Sequence, residues 1–235
     1  MRPGRNPEVT HRSPPEVSNP TVRCTRLAIA YRRYLNTADT TAFAAEVDGA
    51  YSAATLCRLL SLGEVELRRA AALSLGTVGD RWSIEPLGRS LSDPDRGVRM
   101  AADDSFRALL SRGGAPRHHQ QLLRSMHMID GDQYAAALPA TRLLCDVAPM
   151  YAEAHHQLAI CFCGLDRPVD AATAYVACLW RCRYHYAAWQ GLAKCRLALH
   201  DPAGALVAFQ RAVEINPDLE AARIAVRRLT RRQSP

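Results

Sequence analysis

Between residues 151 and 163 the sequence reads YAEAHHQLAICFC, placing His155, His156, Cys161 and Cys163 within nine positions. These are zinc-binding side chains, and zinc takes about four such donors at roughly 2.0–2.3 Å. On one helix they do not converge. With His155 as origin, Leu158, Ala159 and Phe162 fall at about 300°, 40° and 340°, so His155 joins an apolar packing stripe. Cys161, at about 240°, faces elsewhere. His156 and Cys163 share a face but stand about 10 Å apart along the axis. The spacing therefore predicts packing and surface lining rather than a metal site.

The other candidates reduce in the same way. His118 and His119 are adjacent and point apart, as at a solvated helix start. Cys178 and Cys182 have the i, i+4 spacing of half a metal site, but Cys178 holds a packing position shared with Leu144 and Ala212. The adjacent carboxylates Asp103 and Asp104 fit a solvated or helix-bridging role. The sequence contains no GxGxxG, GxxxxGK[ST] or GxSxG and no meaningful Ser, His and Asp spacing. The expectation is a non-enzyme with no catalytic residue, cofactor or metal.

The 235 residues carry a net charge of +7, and of 30 basic residues only Lys194 is a lysine. Arginine in every setting, as in a GC-rich bacterial genome, weakens the link from basicity to nucleic acid, which needs a local patch. The densest patch is the C-terminal RIAVRRLTRRQSP. No apolar run is long enough to span a membrane, and residues 1–20, rich in proline, lack a signal-peptide core. A disordered start, no membrane association and a cytoplasmic location are expected. Eight cysteines without a CxxC pair read as reduced, mostly buried thiols.

The elements that would position these groups are helical, with no alternating β pattern. With Gln121, His155 and Trp189 in register, the chain repeats every 34 residues through Ser125, Ala159 and Ala193, then Ala137, Ala171 and Ala205, then Thr141, Tyr175 and Phe209. Small residues recur where two helices must approach closely. The stretch WQGLAKCRLALHDPAGALVAFQRAVEINP resembles the tetratricopeptide repeat, W-x2-L-G-x2-Y, A-x3-F and P, departing at Arg196. The resemblance implies three repeats, 118–151, 152–185 and 186–219, closed by a capping helix, 220–232, whose apolar side is Ala221, Ile224, Ala225 and Leu229.

Upstream, residues 56–80 and 87–114 align at an offset of 31, pairing Leu56 with Leu87, Ala71 with Ala102 and Leu75 with Phe106. SDPDRGVRMAA resembles the HEAT-like repeat of bilin-lyase type, with Asp93 and Asp95 as helix caps and Pro94 fixing the turn. Two earlier helices are expected, the first burying Val22, Leu27, Ala30, Tyr31 and Leu35, the second capped by Asp39 or Thr40. The division is a HEAT-like region, 21–112, a linker, 113–117, and the tetratricopeptide region. The fold implied is all-α, a right-handed α-solenoid of antiparallel helical hairpins. The combination is similar to bacterial repeat proteins to which no activity is assigned.

In tetratricopeptide proteins the first helix of each repeat lines a concave groove. Carried over in register, the groove positions are His119, Leu122, Met126 and Ile129; Glu153, His156, Ile160 and Cys163; and Ala187, Gln190, Lys194 and Leu197. The resemblance implies a scaffold holding an extended peptide or a helix, with a protein partner. Lys194 alone cannot form the carboxylate clamp of chaperone-binding relatives. The alternative is nucleic-acid binding through arginines of the HEAT-like and C-terminal helices, and a remoter one is lyase or lyase-chaperone activity by HEAT-like analogy alone.

Overall fold

The computed structural model describes residues 20–233, with side chains over 26–231; the segment expected to be disordered lies, except for Pro20, outside the described residues. The helices are α1 (Pro20–Thr37), α2 (Thr40–Val47), α3 (Ala53–Leu62), α4 (Val65–Val78), α5 (Ile84–Ser90), α6 (Arg96–Arg112) and α7 (Pro116–Asp130). There follow α8 (Tyr134–Val147), α9 (Ala152–Gly164), α10 (Pro168–Arg181), α11 (Tyr186–Ala198), α12 (Pro202–Ile215) and α13 (Glu220–Gln233), with no strand among the described residues. From α7 onward each helix packs on the next, giving an all-α repeat solenoid of helical hairpins.

Local chemistry sets the boundaries. Asp39, Asp95 and Asp201 each accept a backbone N–H at the start of α2, α6 and α12, relieving donors that have no helical partner. Asp93 does not cap α6 as expected. Its carboxylate accepts the Asp95 N–H within the turn and takes the Arg68 guanidinium through two bonds of 2.9 Å. Within the three hairpins from α7 to α12, the chain reverses at Asp132, Asp166 and His200, with φ of 56°, 54° and 59°. These three lie one repeat apart, so the 34-residue register extends to the backbone of the turns.

Packing follows the small residues. Ser125, Ala159 and Ala193 and, on the second helices, Ala137, Ala171 and Ala205 are fully buried. So are Leu56 with Leu87, Ala71 with Ala102 and Leu75 with Phe106, the pairs offset by 31. Two expected faces hold in part, with Leu27, Ala30 and Tyr31 of α1 and Leu229 of α13 buried as expected. On α1, Leu35 is 60% exposed and Tyr34 packs on Phe43 instead, with ring centroids 5.3 Å apart; Val22 lies outside the described side chains. On α13, Ala222 and Leu229 are buried and Ala225 and Val226 pack beside them, whereas Ile224 and Ala221 face outward. Residues 222, 225, 226 and 229 form a tighter i, i+3, i+4, i+7 stripe than the one expected.

The junction at 113–117 does not hold the two helix arrays apart. Helix α6 folds back across the N-terminal ends of α7, α9 and α11. Near its start Arg99 grips Asp218, in the turn before α13, through bonds of 2.8 and 2.9 Å. One turn on, Asp103 accepts the Tyr186 hydroxyl at 2.5 Å. At its end the Ser111 carbonyl accepts the Tyr151 hydroxyl and the His119 Nδ1–H, the latter at 2.7 Å. Helix α5 adds Glu85, 2.6 Å from Arg183, and Gly88, against which Tyr184 lies. One buried cluster therefore runs from Leu27 to Leu229.

Gly88 makes this contact testable, because a Cβ there would stand 2.5 Å from Tyr184 Cγ and 2.6 Å from its Cβ. Gly88→Ala is expected to lower unfolding stability by about 1–3 kcal/mol in a urea titration, the usual cost of overpacking. Gly131→Ala, whose Cβ would meet nothing nearer than 3.6 Å, should change it much less.

Candidate functional site

Where α6 crosses α7, α9 and α11, a cavity of about 250 Å³ remains. Phe106 and Leu110 of α6, Met126 of α7 and Tyr186 of α11 are among its apolar walls, and Glu153, His156, Gln157 and His185 line it together with Arg107 and Ser111 of α6. Glu153 and His156 stand one turn apart on α9. His185 is the residue before α11, where its Nδ1 caps the helix by accepting the Ala188 N–H at 3.2 Å. The histidine rings are 4.4 Å apart, and Tyr175 of α10 lies beyond His156 at 5.9 Å.

Glu153 is the node of this cluster. Its Oε1 accepts from His156 Nδ1 at 3.1 Å and from Gln157 Nε2 at 2.7 Å, and its Oε2 accepts from His185 Nε2 at 3.1 Å. Burial opposes charge on the carboxyl, but the hydrogen bonds and charges of His156 and His185 outweigh it and hold its pKa well below the usual range. Burial pushes the His185 pKa down, and the neighbouring His156 adds to the effect. A buried carboxylate with donors on both oxygens is stable, whereas the same group unpaired would be costly.

Glu153, His156 and His185 also bring three ligand-type atoms within 4.8 Å of one another, a convergence not read from the sequence. The hydrogen-bond pattern decides how they are used. His185 accepts at Nδ1, so its proton sits on Nε2, the atom that faces Glu153. A metal at Nε2 would move that proton to Nδ1, against the Ala188 N–H, whereas metal-bound histidines normally donate their second N–H to an acceptor. The donors and acceptors of the cluster match one another without an ion.

The expected groove residues divide by depth. Leu122 is fully buried against Leu144, Cys145, Tyr151 and Ala154, and Ile129 against Ala137 and Cys161. Both belong to the interior, because α8 and α9 close over that face of α7. Glu153 is likewise buried, and His119 is engaged with α6. Met126, His156, Ile160, Ala187 and Gln190 are half-buried, and Cys163, Lys194 and Leu197 are exposed. His155, in the packing stripe as expected, is buried with Nε2 3.1 Å from the Pro149 carbonyl oxygen. Sequence reasoning missed His185 because a cap lies outside the helical stripe, and missed α6 because fold-back contacts span 83 and 119 residues.

No protein-family profile matches the sequence, and no curated protein does. Among solved structures the chain is similar to the first TPR of Spaghetti (RPAP3), determined with an HSP90 peptide, at 15% identity over 52% of this chain and 97% of that one, TM-score 0.49. It is similar to YrrB, described as a TPR protein with an unusual peptide-binding site, at 18% identity over 84% and 97%, TM-score 0.45. The TPR domain of P58(IPK) matches at 14% identity over 91% and 67%, TM-score 0.45. Identities this low establish no residue-level correspondence.

The cluster makes stability depend on pH. Because folded His185 resists protonation, the unfolded chain binds that proton more readily below about pH 6.5, and stability falls as pH drops. Glu153, held low, adds stability above about pH 4.3 that is lost on stronger acidification. His185→Asn keeps a capping oxygen but cannot titrate, so it should flatten the decline of urea midpoints below about pH 6.5. Buried His155, shifted down mainly by burial, should preserve part of the slope.

Proposed function

We propose that the chain is a non-enzymatic protein-interaction scaffold, built from a HEAT-like region, 21–112, and three tetratricopeptide repeats, 118–219. It holds an extended peptide or a helix of a partner protein on the stretch of concave face that α6 leaves open. The observation that carries this reading is a gradient of exposure along α9 and α11, which α7 does not share. Near the start of α9 Glu153 is buried and engaged, and near the start of α11 Ala187 is half-buried. Positions of the same helical phase further on, Ile160 and Cys163 of α9 and Gln190, Lys194 and Leu197 of α11, become progressively exposed. Leu197 and Ile160 offer apolar area, and Lys194 offers a cation for a carboxylate or carbonyl of the ligand. The matched hydrogen bonds around Glu153 support a structural rather than a catalytic use of its histidines.

Lys194→Glu combined with Leu197→Ser is expected to weaken capture of native partners about tenfold or more, a loss of roughly 1.4 kcal/mol, in quantitative pull-downs against wild type. Unchanged recovery of every partner would end this reading. Ion pairing weighs against nucleic-acid binding on the HEAT-like side, where Arg68 with Asp93, Arg69 with Asp95 and Arg99 with Asp218 are engaged, leaving the C-terminal arginines as its main footing. On the scaffold reading DNA and RNA affinity should be low and nearly independent of salt; a steep fall with salt would instead favour phosphate binding.

A further inference from the structure

Cys163 of α9 and Cys195 of α11 lie on the first helices of successive repeats with their sulfurs 3.7 Å apart. A disulfide needs about 2.05 Å, so closure requires a movement of under about 2 Å. The two thiols are unequal in access. Cys163 is exposed, the only cysteine so classed among the described residues, and Cys195 is buried behind it. The Tyr175 hydroxyl stands 3.7 Å from the Cys163 sulfur. The hydrogen bond from Cys195 draws the Cys163 pKa down against partial burial, aided by Tyr175 and the charge of Lys194. Burial instead pushes Cys145 and Cys182 up to about 12 and Cys178 well above the ordinary thiol range. An exposed sulfur favoured as thiolate thus has a second thiol in contact, while these three are shielded and protonated.

We propose that Cys163 and Cys195 form a peroxide-oxidisable dithiol that closes into a disulfide between the second and third repeats. In the first step the Cys163 thiolate attacks a peroxide oxygen; the O–O bond breaks, the sulfur becomes a sulfenic acid, and hydroxide leaves as water after taking a proton. In the second, the Cys195 sulfur attacks the Cys163 sulfur, an S–S bond forms, and the sulfenic oxygen leaves as a second water with the Cys195 proton. Two thiols are oxidised and one hydrogen peroxide is reduced to two waters. The cross-link would tie α9 to α11 and fix the spacing of successive first helices. It requires no ligand on the concave face and stands apart from the proposed scaffold role.

The test treats the full reduced chain with hydrogen peroxide, then combines a free-thiol count with peptide mass spectrometry on an unreduced digest. The expected result is the loss of two thiols, a linked peptide pair containing Cys163 and Cys195, and full recovery with dithiothreitol. Cys195→Ser should leave a sulfenic acid on Cys163, trapped by dimedone, and Cys163→Ser should leave Cys195 unmodified. Oxidation of wild-type Cys163 to sulfinic acid without the cross-link, linkage through any other cysteine, or no reaction would each overturn the proposal. The wild-type map decides the matter even if a variant fails to fold.

Discussion

Helix α6 is the constraint on which the rest of the molecule depends. A solenoid of hairpins leaves the N-terminal ends of its first helices in a row, each with backbone donors and the positive end of a helix dipole. Here that row is crossed by one seventeen-residue helix, whose Phe106 is fully buried, a burial that contributes on the order of 2–3 kcal/mol. Asp103 accepts the hydroxyl of Tyr186, the first residue of α11, and so ties the two helices together. The contact unites the two helix arrays, walls one side of the cavity beside Glu153 and leaves Cys163, Lys194 and Leu197, further along α9 and α11, exposed.

Much of this order was legible in the sequence. The 34-residue register identified the small residues at helix contacts, and the helical phase correctly assigned His155 to the interior. What it could not supply was depth. Leu122 stands 34 residues before His156 and Ile129 34 before Cys163, yet both are buried where their counterparts are partly or fully open. Register is a property of the repeat, whereas burial depends on what lies over it. The fold-back of α6 has no local signature, because Arg99 and Asp218 are ordinary surface residue types until tertiary structure brings them together.

The crowded stretch from 151 to 163 resolves into three environments on one helix. His155 packs toward the interior, Glu153 and His156 enter a network completed by His185, and Cys163 meets Cys195. Helical phase set His155 apart, the rise along the axis parted His156 from Cys163, and α11 with its cap supplied the partners that α9 alone could not reveal. The same residue types that suggest a metal therefore form a hydrogen-bonded carboxylate node that ties α9 to the cap of α11 and a thiol pair that joins α9 to α11 itself. Both bridges tie α9 to α11 or its cap and so bear on the spacing between repeats.

Repeat proteins commonly behave as one-dimensional arrays in which each unit interacts only with its neighbours, so that ends can fray while the middle persists. The Arg99–Asp218 pair joins residues 119 positions apart and turns the array into a closed circuit. Opening the last hairpin then also strips one face of α6, which stays packed on α4 and α5. Such closure slows folding, because the chain must be gathered before the contact contributes. In return it links the middle of the chain to its last turn, which favours concerted unfolding of the helices between them over fraying unit by unit.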